Sequence, residues 1–239
     1  FDVIFLNELK TDQTLSFPGY VCYRGMGNNL HRGGSAMFIK NALVHQIAEV
    51  ATPNAECVLL RLKCLPHLII MGCYIAPNDS QYHSFAPLAE IQDRILSSPQ
   101  HKYVIIGDMN ARFGTSRNAF LIDKDLPLGT GYRTPLDTVQ QPNHNARYVM
   151  SAFKESLVML NSLSAGGRHL DGNLTFRQGQ TWKSELDTCF ISNEFLPVVM
   201  DFRVHQSPIL PSDHAPISIC IDVNKAHQIA GTSVVDTMV

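Results

Sequence analysis

Short apolar runs rich in β-branched residues recur along the chain, and they restrict its fold more than any other feature. Several runs are apolar at consecutive positions, as expected for strands that are covered on both faces. They predict strands at residues 3–6, 36–39, 58–62, 68–75, 103–106, 186–191 and 217–223.

Two other segments have the 3.6-residue period of an amphipathic helix. These are residues 84–96, with Leu88, Ile91 and Ile95 on one face, and residues 146–160, with Val149, Phe153, Leu157 and Leu160. Strands outnumber helices, and several strand pairs are too close in sequence for a helical crossover. We therefore expect a layered α+β domain rather than a strictly alternating fold.

Composition limits the class of protein. With 45% hydrophobic residues among 239, the chain can form the core of one ordinary domain. Charged residues make up 17% and the net charge is −2, which excludes a polybasic binder. The chain has no run of eighteen apolar residues and no basic leader, so we expect a soluble protein without a targeting signal. Six scattered cysteines, never in a CxxC pair, indicate reduced thiols in an intracellular protein rather than a zinc site.

Residues 1–223 are predicted to form the domain. Residues 224–239 lose apolar periodicity and are predicted to be a tail or linker.

Polar residues, mostly acidic or amide, stand at the ends of the most apolar runs. Glu8 and Asp213 offer the hard oxygen ligands that Mg2+ prefers. Asp108 and Asn110 lie two positions apart and would face the same side of an extended chain, where one takes a proton from water and the other holds that water. Strand ends that converge on one sheet edge would bring such groups together.

A histidine follows Asp213 at the start of the last strand. His214 would contact a phosphate oxygen as an imidazolium, and Asp187 would orient it and favour its charged form. The hydroxyl of Tyr74 is a hydrogen-bond donor suited to the same phosphate.

These residues also have purely structural interpretations, and so do Trp182, a candidate for stacking on a base, and the polar residues 143–145. The alternatives are turn formation for Glu8, Asp187, Asp108 and Asn110, packing for Tyr74 and Trp182, and a helix N-cap at Asn143, His144 or Asn145.

An ordered set of motifs resembles the endonuclease/exonuclease/phosphatase superfamily. The motifs are Asn7-Glu8, Tyr74-Ile-Ala-Pro77, Gly107-Asp-Met-Asn-Ala-Arg-Phe-Gly114, Asn143-His-Asn-Ala-Arg147, Leu174-Thr-Phe176, Trp182-Lys-Ser-Glu-Leu-Asp187 and Ser212-Asp-His-Ala-Pro216. Three runs are most similar to the apurinic-like endonuclease domain of LINE-type non-LTR retrotransposons. They are residues 33–40, 107–114 and 143–150.

The resemblance implies a DNase I-like four-layer sandwich, in which two packed mixed β-sheets are flanked by helices. It implies a metal-dependent cut of DNA that leaves a 3′-hydroxyl, which primes reverse transcription. Carried over by position, it implies metal ligation by Glu8 and Asp213, phosphate contacts by Tyr74 and His214, activation of water by Asp108 and Asn110, orientation of His214 by Asp187, and a substrate contact by Asn143 or Asn145.

The resemblance also implies partners and a location. These are Mg2+, with Mn2+ as the alternative ion, double-stranded DNA, a reverse transcriptase domain in the same polyprotein, and the nucleus as the place of action. Because the net charge is near zero, we expect salt-sensitive DNA binding through a few arginines at the groove rim, namely Arg112, Arg117, Arg133 and Arg147.

Two alternatives stay open, and one departure from the family supports the second of them. The family's first strand has no counterpart, because the sequence begins at what resembles the second strand. The alternatives are a phosphodiesterase or phosphatase of the same superfamily with another substrate, and an inactive remnant that at most binds DNA.

Overall fold

The computed structural model describes residues 1–9, 13, 15–25, 34–115, 131–153, 155–207 and 212–232. The chain divides into two compact units, Phe1–Asn110 and Ala111–Val239. None of the helices in the described ranges is long and apolar enough to cross a membrane.

The first unit contains two sheets. Strands β1 (Val3–Leu6), β3 (Ala36–Lys40) and β2 (Tyr20–Arg24) form an antiparallel sheet with β3 in the middle. The second sheet contains β4 (Ile47–Asn54), β5 (Cys57–Leu62), β6 (Leu65–Cys73) and β7 (Lys102–Asp108). A short 3-10 helix, Asn41–Gln46, connects the two sheets along the chain.

A helical crossover brings β6 and β7 side by side. The two strands are parallel, and parallel neighbours need a long connection, which the helix α1 (Ala86–Ser97) supplies. The helix predicted at 84–96 is thereby confirmed, and Leu88 and Ile91 are buried as its periodicity requires.

The two sheets of the first unit approach each other closely at a glycine. A Cβ on Gly72 would lie 1.9 Å from the ring of Phe5. Only glycine therefore lets Phe5 of β1 lie on β6 at this point. On the same sheet as Gly72, Cys57 and Cys73 are partners in register, and both are buried.

The described residues of the second unit form short strands and two α-helices. The helix α2 (His144–Phe153) precedes β9 (Leu157–Met159), which pairs antiparallel with β14 (Asp187–Ser192). The other strands are β8 (Tyr132–Arg133), β10 (Leu163–Ala165), β11 (Arg168–His169), β12 (Phe176–Gln178), β13 (Thr181–Ser184), β15 (Val199–Val204) and β16 (Ile217–Ile221). The described residues also include a 3-10 helix, Asn193–Val198, and the helix α3 (Val223–Thr232).

Aromatic rings form the centre of this unit. Phe190 of β14 contacts Phe153 of α2 with ring centroids 5.3 Å apart, and its centroid lies 6.5 Å from that of Phe113. All three side chains are at most 1% exposed.

Three sequence predictions about element ends are wrong. The strand expected at 68–75 runs from Leu65 to Cys73, so Tyr74 follows it rather than lying within it. The helix expected to run to residue 160 ends at Phe153, and residues 157–159 form β9. The four consecutive apolar residues from Leu157 are compatible with a buried strand as well as with a helix. Residues 157–159 form a strand because they pair with β14. The last strand ends at Ile221 rather than 223, because Asp222 caps α3 by accepting the N–H of Lys225 at 3.0 Å.

Two regional predictions have a different outcome. The sequence from 113 to 142 is rich in Gly, Thr, Asp and Pro and predicts long loops. Residues 116–130 of this segment lie outside the described residues, and β8 occupies part of the remainder. The segment 224–239 begins within α3, where Ala226 is buried, and its role as a tail or linker stays a prediction.

Candidate functional site

The first group of predicted site residues surrounds a buried tyrosine that follows β6. Tyr74 is 5% exposed, and its hydroxyl donates a hydrogen bond of 2.5 Å to Oε1 of Glu8. Glu8 follows β1 and has a φ of 53°, a conformation that lets the chain turn directly after the strand. The strand ends thus place a metal-ligand candidate and a phosphate-contact candidate next to each other.

Three carboxylates act on the Tyr74 phenol. Burial raises its pKa well above the ordinary value, and Glu8, Asp108 and Glu56 raise it further. The phenol therefore stays protonated and remains a donor through the neutral and mildly alkaline range. All three neighbours offer oxygen ligands, the donor type suited to a hard divalent cation.

Asp108 and Asn110 meet at the end of β7. The two oxygens of Asp108 accept from the backbone N–H of Asn110 at 2.8 Å and from its side-chain amide at 3.0 Å. The amide of Asn110 also donates to the carbonyl of Ile75 at 2.9 Å, and the N–H of Ile75 donates to the carbonyl of Asp108 at 2.9 Å. Both residues are thereby tied to the position after Tyr74.

The geometry of this pair differs from the sequence prediction in one respect. Asn110 has a φ of 44° and β7 ends at Asp108, so the two side chains meet across a turn rather than along an extended strand. Gly107 shapes the approach to that turn: its φ is 151°, and a Cβ there would lie 1.9 Å from the carbonyl oxygen of Cys73. A side chain at position 107 would force β6 and β7 apart before Asp108.

The second group lies in the second unit. Oδ2 of Asp187, at the start of β14, is 2.8 Å from Nδ1 of His214. An ionised carboxylate only accepts, so Nδ1 carries the proton of this hydrogen bond. The side chains of Asp187 and His214 are 12% and 27% exposed, and the Phe176 ring packs beside the imidazole with centroids 5.2 Å apart.

A buried threonine fixes the start of β14, and sequence reasoning did not single it out. Oγ1 of Thr175 accepts the N–H of Leu186 at 2.8 Å and the N–H of Asp187 at 2.9 Å. Thr175 itself is 0% exposed. Its only signal in the sequence was its place in the Leu174-Thr-Phe176 motif.

The remaining site candidates divide by exposure. Asp213 is exposed, and its carbonyl accepts the N–H of Arg177 at 2.8 Å. Asn143 caps α2: its Oδ1 accepts the N–H of Ala146 at 2.9 Å and that of Arg112 at 3.1 Å. The cap interpretation is therefore confirmed for Asn143. Asn145 is 0% exposed, which leaves Asn143 as the more accessible of the two amides.

The predicted arginine rim is only partly supported by the positions of its members. Arg147 is exposed and donates to the carbonyl of Pro142 at 2.8 Å, and Arg112 is half-buried and pairs with Asp137 at 3.0 Å. Arg133 is 2% exposed, so the prediction that it contacts DNA at the rim is wrong. Arg117 lies outside the described residues.

A cavity of about 640 Å3 opens beside Glu8 and Tyr74 in the first unit. This volume is within the range of pockets that hold small molecules or single nucleotides. Its polar lining includes Glu8, Glu56, Tyr74, Ser80, Tyr82 and His83. The structure thus brings Glu8, Tyr74, Asp108 and Asn110 together in one unit and Asp187 and His214 in the other, and that both groups face one centre stays a prediction.

A family model described as Endonuclease/Exonuclease/phosphatase family matches residues 1–214. Because this covers most of the chain, the protein belongs to that family, as the ordered motifs predicted. A search of curated protein sequences finds no significant match.

Solved structures of nucleases and of a phosphatase share the fold. A variant of the 3′ phosphatase NExo from Neisseria, bound to product DNA hairpin, has a TM-score of 0.62 at 18% identity, over 92% of this chain and 89% of that one. The endonuclease domain of TRAS1, a telomere-specific non-LTR retrotransposon, has a TM-score of 0.56 at 16% identity, over 86% and 81%. An AP endonuclease from Archaeoglobus fulgidus has a TM-score of 0.56 at 15% identity, over 92% and 89%. These similarities confirm the predicted fold class, an α+β sandwich.

Proposed function

We propose that this chain is a metal-dependent endonuclease that nicks DNA and leaves a 3′-hydroxyl, which primes reverse transcription in a LINE-type element. The observation that carries the proposal is the Asp187–His214 hydrogen bond of 2.8 Å at the start of β14. The carboxylate holds the ring so that Nε2 points away from Asp187, as a phosphate contact requires. The proposal further requires that this pair and the Asp108–Asn110 pair act on the same phosphodiester.

The reaction is a hydrolysis in which a water oxygen attacks phosphorus and the P–O3′ bond breaks. Asp108 accepts one proton of the attacking water, and Asn110 holds that water in line by accepting its other proton through the amide oxygen. The 3′-oxygen leaves and takes a proton from solvent, which gives a 3′-hydroxyl and a 5′-phosphate. His214 and Tyr74 stabilise the charge on the non-bridging phosphate oxygens.

Tyr74 can serve one acceptor at a time because it has a single proton. In this structure that proton goes to Glu8. Donation to a phosphate oxygen therefore requires the hydroxyl to turn away from Glu8, and its raised pKa keeps the proton in place while it does so.

The donor set fits a divalent cation. Glu8 and Asp213 are both exposed carboxylates, and hard oxygen ligands of this kind suit Mg2+ and Mn2+ rather than softer metals. Glu8 and Asp213 would hold the ion. When bound, it would neutralise phosphate charge and stabilise the leaving oxygen.

Several observations support DNA and a LINE-type element as the context. One structural neighbour is described as bound to a product DNA hairpin and another as a retrotransposon endonuclease domain. The 33–40, 107–114 and 143–150 sequence runs resemble the latter class. In this context the chain would act in the nucleus, as part of a polyprotein that also contains a reverse transcriptase.

A plasmid assay tests the proposal. Supercoiled DNA is incubated with Mg2+ and wild-type protein, Asp108→Asn or His214→Ala, and the nicked product is then offered to a DNA polymerase. Asp93→Asn on the exposed face of α1 is the matched control. We expect nicking and polymerase extension with wild type and control, and losses of about 10² to 10⁴ in rate for the two site variants.

Three results would count against the proposal. Equal nicking by all four proteins would show that the activity does not come from these residues. Nicks that a polymerase cannot extend would show that the wrong P–O bond breaks. Phosphate release from a 3′-phosphorylated duplex without nicking would favour the alternative of a phosphatase in the same family.

A further inference from the structure

We propose that the buried ion pair between Arg133 and Glu185 is a positioning device for the Asp187–His214 pair. The inference rests on the proposed function, because it assumes that His214 contacts the substrate. It assigns to Arg133 a role different from the DNA contact that the sequence suggested.

Both charges are almost completely removed from solvent. The side chains of Arg133 and Glu185 are each 1% exposed, and Nη2 of Arg133 donates to Oε2 of Glu185. The guanidinium lies over the Phe113 ring at 5.6 Å from its centroid. Ser162 donates to the other oxygen of Glu185 at 3.4 Å.

Arg133 also holds a second segment. Its Nε donates to the carbonyl of Asn161 at 3.0 Å. The Asn161 side chain bridges β14 in turn: its amide donates to the carbonyl of Asp187 at 3.0 Å, and its Oδ1 accepts the N–H of Cys189 at 3.1 Å. The guanidinium of Arg133 therefore connects two residues on either side of Asp187. One is Asn161, which binds the backbone of Asp187, and the other is Glu185, which lies two positions before Asp187 in the chain.

The stability of the fold does not account for this arrangement. Desolvation of two buried charges offsets most of their attraction, and a well-packed apolar pair is often as stable or more stable. Nη1 of Arg133 is buried without a hydrogen-bond partner among the described residues, which adds a further cost. An apolar pair makes no directional contacts. The hydrogen bonds of the planar guanidinium, by contrast, fix the positions of Glu185 and Asn161 relative to each other.

Loss of the ion pair would change the position of the Asp187 carboxylate. The backbone N–H of Asp187 is held by Thr175 and its carbonyl by Asn161. Loss of the Arg133 anchor would free the carbonyl side while the N–H side stays fixed. The backbone at the carbonyl end of Asp187 would then shift, and the accompanying displacement of its Cα would carry Oδ2 away from His214.

The test is a double variant, Arg133→Met with Glu185→Leu, which removes both charges together. The matched control is Arg94→Met with Glu90→Leu, which removes the half-exposed ion pair on α1. Thermal unfolding, steady-state nicking and the proton NMR signal of the His214 Nδ1–H are measured for each, with His214→Gln used to assign that signal.

We expect the double variant to unfold near the wild-type temperature, because removal of the two desolvated charges offsets loss of the donor to the buried Asn161 carbonyl. Its kcat should fall about tenfold to a hundredfold, the range expected for a displacement near 1 Å, with KM within about twofold. Its Nδ1–H signal should shift or disappear through exchange with water. The control pair should change none of these quantities.

A double variant that folds, retains the wild-type signal and cuts at the wild-type rate would overturn the inference. If the double variant does not fold, Arg133→Lys decides, because lysine keeps the charge but cannot hold Glu185 and Asn161 in fixed directions. An unchanged signal and kcat in Arg133→Lys would likewise overturn it. If wild type does not cut DNA, the proposed function fails, whereas the NMR signal still tests the positioning.

Discussion

Replacement of Thr175 by valine tests whether one hydroxyl fixes the start of β14. The substitution keeps the side-chain shape and removes the acceptor of two buried N–H groups, those of Leu186 and Asp187. Because Thr175 is 0% exposed, water does not replace the hydroxyl without rearrangement. A buried donor left without a partner costs about 1 to 3 kcal/mol, so we expect the free energy of unfolding to fall by about 2 to 6 kcal/mol.

Urea titration followed by circular dichroism measures this loss. Thr175→Ser is the control, since it keeps the acceptor and loses only a methyl group, at a cost of about 1 kcal/mol. The nicking rate of Thr175→Val should fall more than its stability at the assay temperature explains, because Asp187 shifts with its N–H. A loss below about 0.5 kcal/mol in Thr175→Val would refute the argument that this hydroxyl holds β14.

Two further predictions concern Asn143 and Tyr74. Asn143→Ala should lower the free energy of unfolding by about 1 to 3 kcal/mol, because it removes the N-cap of α2 and the acceptor for the N–H of Arg112, whereas Asn143→Asp should retain most of the stability; urea titration of both checks this. Tyr74→Phe should cost about 1 kcal/mol at neutral pH through loss of the bond to Glu8. Above pH about 10 the unfolded chain releases the Tyr74 proton while the folded chain keeps it, so wild-type stability falls as pH rises and the gap to Tyr74→Phe should narrow by up to about 1.4 kcal/mol per pH unit; a constant gap would contradict the raised pKa.

The strands that could be predicted are those whose apolar residues are consecutive and buried. β3, β5 and β7 were found within a few residues of their ends because their side chains are covered on both faces. β8 and β11 are two residues long, and they exist only because β10 lies between them. Such strands have no local signal, since their hydrogen bonds depend on distant segments.

Part of the candidate site was also accessible from the sequence. Glu8 and Asp108 could be predicted because they closely follow apolar runs, and His214 because it closely precedes one. The predicted contact between Asp187 and His214 is present. The catalytic roles of these residues stay predictions. The Arg133–Glu185 pair was not accessible, because its partners are separated by 52 positions and both residue types are normally exposed.

Each unit contains a buried thiol whose rate of alkylation measures how often that unit opens locally. A hydrogen bond with Cys57, together with burial, raises the pKa of Cys73 in the first unit, and burial raises the pKa of Cys189 in the second. Since the thiolate is the nucleophilic form, an alkylating reagent modifies either thiol only after its strand separates from its neighbours. Cys220 is exposed, so its alkylation rate in the same chain gives the rate for an unprotected thiol. Comparison of the two protected rates therefore reveals whether the halves of the molecule open in one event or in two.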